Sequence, residues 1–180
     1  MKNIYKLRPW VQVVISGFIV GITYYPFNIG FLAWVAFIPL LSLFINGDLK
    51  SNIINGYVFG LTYNFIAFYW IGLNSGASVA VVVSSLFAYL ALFWAIAGLI
   101  FSIIPTYQRK SIGTILFPFL IVTIEWFRSF GALGFPWANL ALSQTKYIYL
   151  LQIIDITGSY GISFIVISIK RKLLKMVSSQ

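Results

Sequence analysis

From Val11 to Gly47 the chain carries no charged side chain, and from Ser51 to Gln108 it again carries none. About 20 apolar residues cross a bilayer as a helix, so each run is too long for one crossing and has to turn back on itself. The first run turns at Tyr24-Tyr25-Pro26-Phe27-Asn28-Ile29-Gly30. Proline there disfavours helix in the residue before it, and asparagine and glycine suit turns. The second turns at Gly72-Leu73-Asn74-Ser75-Gly76. These breaks predict helices over about 11–25, 31–45, 53–73 and 77–104. A fifth is predicted over about 112–127, and a sixth, less apolar, over about 147–169. The first two are short for a span.

Composition points the same way. Only 8% of side chains are charged and 61% are hydrophobic, whereas a soluble domain carries roughly 25% charged residues. Such a chain cannot cover a water-facing surface, and it is too hydrophobic to be disordered. The expectation is an all-α integral membrane protein, a bundle of about six transmembrane helices forming one polytopic domain over residues 1–180. The chain has no Cys and no His, which excludes disulfides, a thiol nucleophile, a zinc–thiolate site and imidazole chemistry. No phosphate-binding loop or dinucleotide fingerprint occurs, and neither a cofactor nor a metal is expected.

The basic residues set the orientation, because cytoplasmic loops concentrate Lys and Arg. With a cytoplasmic N-terminus, the inner segments hold Lys2, Lys6, Arg8, Lys50, Arg109, Lys110, Lys170, Arg171, Lys172 and Lys175, leaving only Arg128 and Lys146 outside. Both termini are thus expected inside. The formal net charge of +9 is accounted for by topology and contact with anionic headgroups, so no nucleic-acid partner is expected. The N-terminus has the basic start of a signal peptide but no small-x-small cleavage site, and reads as an uncleaved first helix.

Two GxxxG motifs, Gly17–Gly21 and Gly56–Gly60, suit close helix crossings where lipid offers no hydrophobic drive. They extend into a repeated phrase: Gly17 to Tyr24 reads G-F-I-V-G-I-T-Y, and Gly56 to Tyr63 reads G-Y-V-F-G-L-T-Y. A parallel duplication and convergent packing both account for it. Trp10, Trp70, Trp126 and Trp137 fall near predicted helix ends, as interfacial anchors do, while Trp34 and Trp94 lie further in.

The chain has three carboxylates. Asp48 lies in the short turn Asn46-Gly47-Asp48 and reads as solvated. Glu125 and Arg128 are three apart and share a helix side; they form a local ion pair at the outer end of helix five, or a polar anchor for a headgroup or a neighbouring domain. Asp155 precedes Thr157-Gly158-Ser159-Tyr160-Gly161. An acid inside a membrane suggests function, and the glycines and hydroxyls allow a broken or wet segment; interfacial placement is the other reading. The connection Ser129 to Lys146 is too apolar for a solvated loop and too broken for a span, which fits an interfacial or re-entrant element. It could hold a lipid chain against Phe135 and Trp137, or serve only as an aromatic anchor. Serines are plentiful, but no nucleophile–base pair can be assembled.

Several phrases now combine. Gly21-Ile22-Thr23-Tyr24-Tyr25-Pro26-Phe27 leads into Leu32-Ala33-Trp34-Val35-Ala36-Phe37-Ile38-Pro39-Leu40-Leu41, and Phe59-Gly60 into Phe68-Tyr69-Trp70-Ile71. Then follow Glu125-Trp126-Phe127-Arg128, Gly134-Phe135-Pro136-Trp137, Leu142-Ser143-Gln144 and Thr157-Gly158-Ser159-Tyr160-Gly161-Ile162-Ser163-Phe164. In order and spacing this series, over about Ser16 to Ile169, resembles the N-terminal membrane region of the apolipoprotein N-acyltransferase family.

The resemblance implies a bacterial inner-membrane enzyme that moves an acyl chain from a phospholipid to the free amine of a diacylglyceryl-modified N-terminal cysteine. In that family the acyl group passes through a cysteine thioester, on a periplasmic nitrilase-like domain with a Glu-Lys-Cys triad that follows the membrane helices. This chain contains no Cys, so no catalytic residue carries over. The membrane role alone transfers: Phe135, Pro136, Trp137, Asn139, Ser143 and Gln144 would border the approach of the lipid substrate, with Tyr69 and Trp70 on the same outer edge. The expectation is a truncated or split acyltransferase, inactive alone. Its partners would be membrane phospholipid, a lipoprotein substrate and a separately encoded nitrilase-like domain. Two alternatives stand beside it: a non-enzymatic lipid-binding or scaffold module, and a small transporter using Asp155.

Overall fold

The computed structural model describes residues 7–24, 26–74, 76 and 78–168. Its elements are α1 (Pro9–Gly21), α2 (Gly30–Asn46), α3 (Leu49–Asn74), α4 (Ala80–Ile103), α5 (Thr106–Arg128) and α6 (Ile154–Ser168). Among the described residues the protein is all-helical. Of the expected spans, α4 and α5 are long and apolar enough to cross a membrane, whereas α1, α2 and α6 are apolar but shorter. Helix α3 runs 26 residues, but Asn52, Asn55 and Asn64 dilute its apolar character. The expected endpoints at Tyr25, Ala77 and Ile169, and the tails bearing Lys2, Lys6, Lys170, Arg171, Lys172 and Lys175, lie outside the described residues.

Helix α3 is the central strut, packed along its length against α1 and α4. Both GxxxG motifs sit in these crossings. A Cβ at Gly17 would lie 2.9 Å from the Phe59 carbonyl. One at Gly21 would run into the Ile66 side chain. Contacts therefore advance together on α1 and α3, which run parallel. On the other side of α3, a Cβ at Gly56 would strike the Trp94 carbonyl, and one at Gly60 would come 2.7 Å from the Ala91 Cα. Here the numbering runs in opposite directions, so α4 is antiparallel to α3. Absent side chains allow backbone approach, and packing plus interhelical hydrogen bonds supply the cohesion. An aromatic cluster fills the interior: Phe59 meets Trp94 edge-on at 4.6 Å between centroids, and Phe37 and Phe44 carry the contact on to Phe117 and Phe101.

Helix α5 starts at Thr106, earlier than the expected residue 112. Arg109 and Lys110, expected in a loop, lie in a π-helical turn, Arg109–Gly113. The reason is where the Arg109 charge goes. Its guanidinium is buried and donates to the carbonyls of Gly47 at 2.6 Å, Ser102 at 2.9 Å and Ile104 at 2.9 Å. Terminal helix carbonyls lack intrahelical donors and carry partial negative charge, so one cation closes the ends of α2 and α4. Asn52 reinforces the same end by donating to the Phe44 carbonyl at 3.0 Å and the Ser102 hydroxyl at 2.9 Å. Pro9 lines a cleft there with Asn46 and Gly47. Arg8, Lys50, Arg109 and Lys110 thus gather at one end of the bundle.

The sixth expected helix is interrupted. A single turn, Ile148–Leu151, precedes α6, and Gly158 inside α6 has φ 66° and ψ 179°. Only glycine adopts that conformation without strain, so the Thr157–Gly161 phrase marks a break in the helix.

Candidate functional site

The end of the bundle opposite Arg109 carries the polar residues. After α5 the chain turns sharply, with the Phe135 amide donating to the Arg128 carbonyl at 2.9 Å and Gly131 at φ 82°. It then forms two short 3₁₀ turns, Pro136–Ala138 and Leu140–Gln144. These turns make an ordered ledge of the connection that its composition marks as an interfacial or re-entrant element.

Buried side chains hold the ledge from three sides. From α5, Glu125 Oε1 accepts the Leu140 amide at 2.8 Å. From α6, the Ser163 hydroxyl donates to Asn139 Oδ1 at 3.0 Å and accepts the Ala141 amide at 3.2 Å. Asn139 Oδ1 also accepts the Ala141 amide at 2.9 Å, capping the second turn. From α2, Trp34 Nε1 donates to Gln144 Oε1 at 3.2 Å. Gln144 Nε2 in turn donates to the Gly30 carbonyl at 2.8 Å and to the Ser143 hydroxyl at 2.7 Å. Gln144 has 0% of its surface exposed, and a Cβ at Gly30 would collide with the Ser143 carbonyl.

Behind the ledge lies a charged core. Arg128 is 2% exposed and Glu125 5%, so neither belongs to a surface ion pair. Arg128 hydrogen-bonds to the side chain of Tyr63, whose hydroxyl lies 3.1 Å from that of Tyr24. Both tyrosines lie in the electrostatic reach of Glu125 and Arg128 together. The sequence offers a local ion pair or an anchor for a headgroup or a neighbouring domain; what the geometry shows is Glu125 holding the chain's own ledge through Leu140, beside Arg128 and the two tyrosines. Sequence reasoning missed Tyr24, Tyr63, Trp34 and Ser163. The available signal was the repeated phrase, which places Tyr24 and Tyr63 at matching positions.

The outer surface of the ledge is aromatic and open. Trp137, 54% exposed, stacks on Trp70 at 5.9 Å and 19°, and touches Phe135 at 5.7 Å. Phe135 reaches inward to Phe68 at 5.2 Å. Pro136 is exposed and Tyr69 half-buried beside Trp70. The expected site residues therefore divide. Pro136 and Trp137 form the exposed edge with Trp70 and Phe135 half-buried behind them, while Asn139, Ser143 and Gln144 are buried supports. A cleft of about 140 Å³ between them is lined by Glu125, Ser129, Asn139, Ser159 and Tyr160. Asp155 stands apart from the ledge, exposed in the first turn of α6, where a carboxylate favours the helix dipole. Among the described residues the arrangement positions and supports the ledge.

Comparison with known proteins bears on what such a ledge serves. The chain is 34% identical over 167 residues to the apolipoprotein N-acyltransferase of Geobacter metallireducens, covering 88% of this chain and 32% of that protein. It is 32% identical over 179 residues to that of Coxiella burnetii (94% and 36%) and 25% identical over 166 residues to that of Thermotoga maritima (87% and 33%). The chain thus spans about a third of the length of these curated relatives. Residues 16–170 match the family model described as the apolipoprotein N-acyltransferase N-terminal domain, and the chain belongs to that family.

Proposed function

We propose that this chain is the membrane domain of an apolipoprotein N-acyltransferase, embedded in a bacterial inner membrane with both termini cytoplasmic. It presents phospholipid, and the diacylglyceryl-cysteine of a lipoprotein, to a nitrilase-like catalytic domain that supplies the cysteine. The observation that carries this reading is the Trp70–Trp137–Phe135 edge, open at the exposed Trp137 and standing on a buried polar core. Aromatic belts of this kind sit at membrane interfaces, and a rigid platform is what orients a substrate. The outward faces of the helices support the membrane environment: Val14, Ile15 and Phe18 on α1, Leu92, Ile96 and Leu99 on α4, and Ile115, Leu116 and Phe119 on α5 are all exposed. A water-soluble monomer rarely presents so much contiguous apolar surface.

With no Cys the chain has no residue to carry a thioester. An acylation assay with phospholipid donor and a diacylglyceryl-peptide acceptor tests this. The chain alone is expected to transfer nothing, and to support transfer when a cysteine-bearing nitrilase-like domain is supplied. Robust turnover by the chain alone overturns the reading. The absence of native cysteines also makes single-cysteine labelling direct. In sealed vesicles, Ser51→Cys and Thr145→Cys are expected to react with an impermeant maleimide from opposite sides; labelling from one side only overturns the topology.

A further inference from the structure

A second surface at the same end of the bundle shares no residue with the Trp70–Trp137–Phe135 edge. Between the start of α2 and the residues that follow the ledge runs an open groove of about 490 Å³, within the roughly 300–1,000 Å³ range of ligand sites. Phe31, Trp34, Ile148 and Leu150 make its lining apolar, and Lys146 stands on it as a cation. The groove is built rather than incidental. Gln144 lines it and is fully buried, and it ties one wall through Trp34 and Gly30 while belonging to the other. The close Gly30–Ser143 approach keeps the two walls in contact.

The electrostatics select an occupant. Lys146 makes no ion pair or hydrogen bond to another described residue. Among the described residues it is the exposed basic side chain at this end, since Arg128 is buried and Arg8, Lys50, Arg109 and Lys110 lie at the other. An apolar groove with one unpaired cation in its lining, and with Tyr147 and Tyr149 exposed beside it, matches a molecule with an acyl chain and an anionic head. Basic pockets beside apolar helix surface take anionic lipid headgroups in this way, and tyrosines favour the headgroup level.

We propose that this groove binds an anionic phospholipid, with an acyl chain along Phe31, Trp34 and Ile148 and the phosphate at Lys146, as a resident lipid site separate from the acyl-donor edge. This rests on the membrane reading above. The test uses the chain in phosphatidylcholine nanodiscs with a trace of phosphatidylglycerol carrying a diazirine on its acyl chain, and peptide mapping after photolysis. Label is expected to concentrate on Phe31 and on 147–150, and to be competed by unlabelled phosphatidylglycerol but not by phosphatidylcholine. A Lys–headgroup interaction of ordinary strength corresponds to an enrichment of about fivefold. Lys146→Glu should abolish it and Lys146→Arg preserve it, with labelling of the exposed Ile15 and Phe18 face unchanged as a control for folding. Equal labelling by anionic and zwitterionic probes, or enrichment that survives Lys146→Glu, overturns the groove alone. Failure of the chain to enter bilayers at all overturns the membrane reading and the groove with it.

Discussion

The hydroxyls of Tyr24 and Tyr63 lie 3.1 Å apart, and each closes one copy of the repeated G-x-x-x-G-x-T-Y phrase. The glycines of the first copy let α1 approach α3 in parallel, and the phrases therefore end at the same level. Each tyrosine then finds the other instead of an apolar wall. Tyr63 passes the connection to Arg128, so the repeat joins the crossing of two helices to the charged support of the ledge.

Tyr63 stands between Tyr24 and Arg128 in that chain. Tyr63→Phe should remove both the Tyr24 bond and the Arg128 acceptor, costing about 2–3 kcal/mol as a buried charged donor loses its partner. Tyr24→Phe should cost about 1 kcal/mol, the worth of one hydrogen bond. Unfolding of the detergent-solubilised protein, followed by near-UV circular dichroism, gives the order. Equal losses would show that the two hydroxyls act independently.

Gln144 serves α2 and the ledge together through Trp34, Gly30 and Ser143. Gln144→Leu keeps the volume and strands the Trp34 N–H and the Gly30 carbonyl, for an expected loss of about 2 kcal/mol. A double-mutant cycle with Trp34→Phe isolates the indole bond, which should contribute about 0.6–1.7 kcal/mol if the site behaves like other interhelical bonds in membranes. Zero coupling would remove Gln144 as the tie between the groove walls.

Much of this was legible beforehand. Charge-free runs and the breaks at Pro26 and Gly76 marked an all-helical chain, and the GxxxG pairs marked points of close approach without naming the partner helices, because those features act locally. The series Glu125–Arg128, Phe135–Trp137 and Ser143–Gln144 falls together on the ledge and its supports. What was not legible is which of these residues face inward. Glu125 and Arg128 read as a local ion pair at a helix end or as an anchor for a headgroup or another domain, because helical spacing puts them on one side of α5 without saying which way that side faces. Asn139, Ser143 and Gln144 read as bordering the approach of the lipid substrate, because a broken apolar connection suggests an interfacial element and does not show which of its polar side chains turn inward. Their burial depends on partners as distant in sequence as Gly30, which local pattern does not carry. Arg109 illustrates the same point: a basic residue between two helices suggests a solvated loop until the carbonyls it closes are in place.

Arg109 gives a test of that closure. Its fork reaches the carbonyls of Gly47, Ser102 and Ile104 at once, which a lysine ammonium on a flexible stem cannot reproduce. Arg109→Lys should therefore cost about 1.5–3 kcal/mol despite keeping the charge, the range for hydrogen bonds to charged groups. Hydrogen exchange should rise for the amides around 102–108 and leave the ledge at 139–144 protected. A silent Arg109→Lys would mean that charge alone closes these helix ends.

Asp48 supplies a pH dependence at the same end. Hydrogen bonds from the Ser51 hydroxyl and the Ser51 amide hold its carboxyl below the ordinary carboxylate range, the amide lying 2.8 Å from Oδ1 as the cap of α3. A folded-state value below the unfolded one of about 3.9 contributes stability above that value and loses it as pH falls through the folded one. The Ser51 amide resonance should shift with a midpoint below that of a free aspartate, and Asp48→Asn should remove the transition. A midpoint at or above the free value would show the cap is not formed.

The decisive relation for the ledge is between Glu125 and Arg128. Both are buried on one side of α5, both act on Tyr24 and Tyr63, and Glu125 also receives the Leu140 amide. Removing one member of a buried charged pair leaves the other without compensation and typically costs about 3–5 kcal/mol, whereas replacing both with apolar residues costs far less. Glu125→Leu and Arg128→Leu should each destabilise by that amount, and the double variant by less than their sum. Glu125→Gln, which keeps an acceptor for Leu140 but not the charge, should fall between Glu125→Leu and the unaltered protein. Purely additive losses in the double variant would mean that the two charges are stabilised separately, with the ledge held by the Leu140 contact alone.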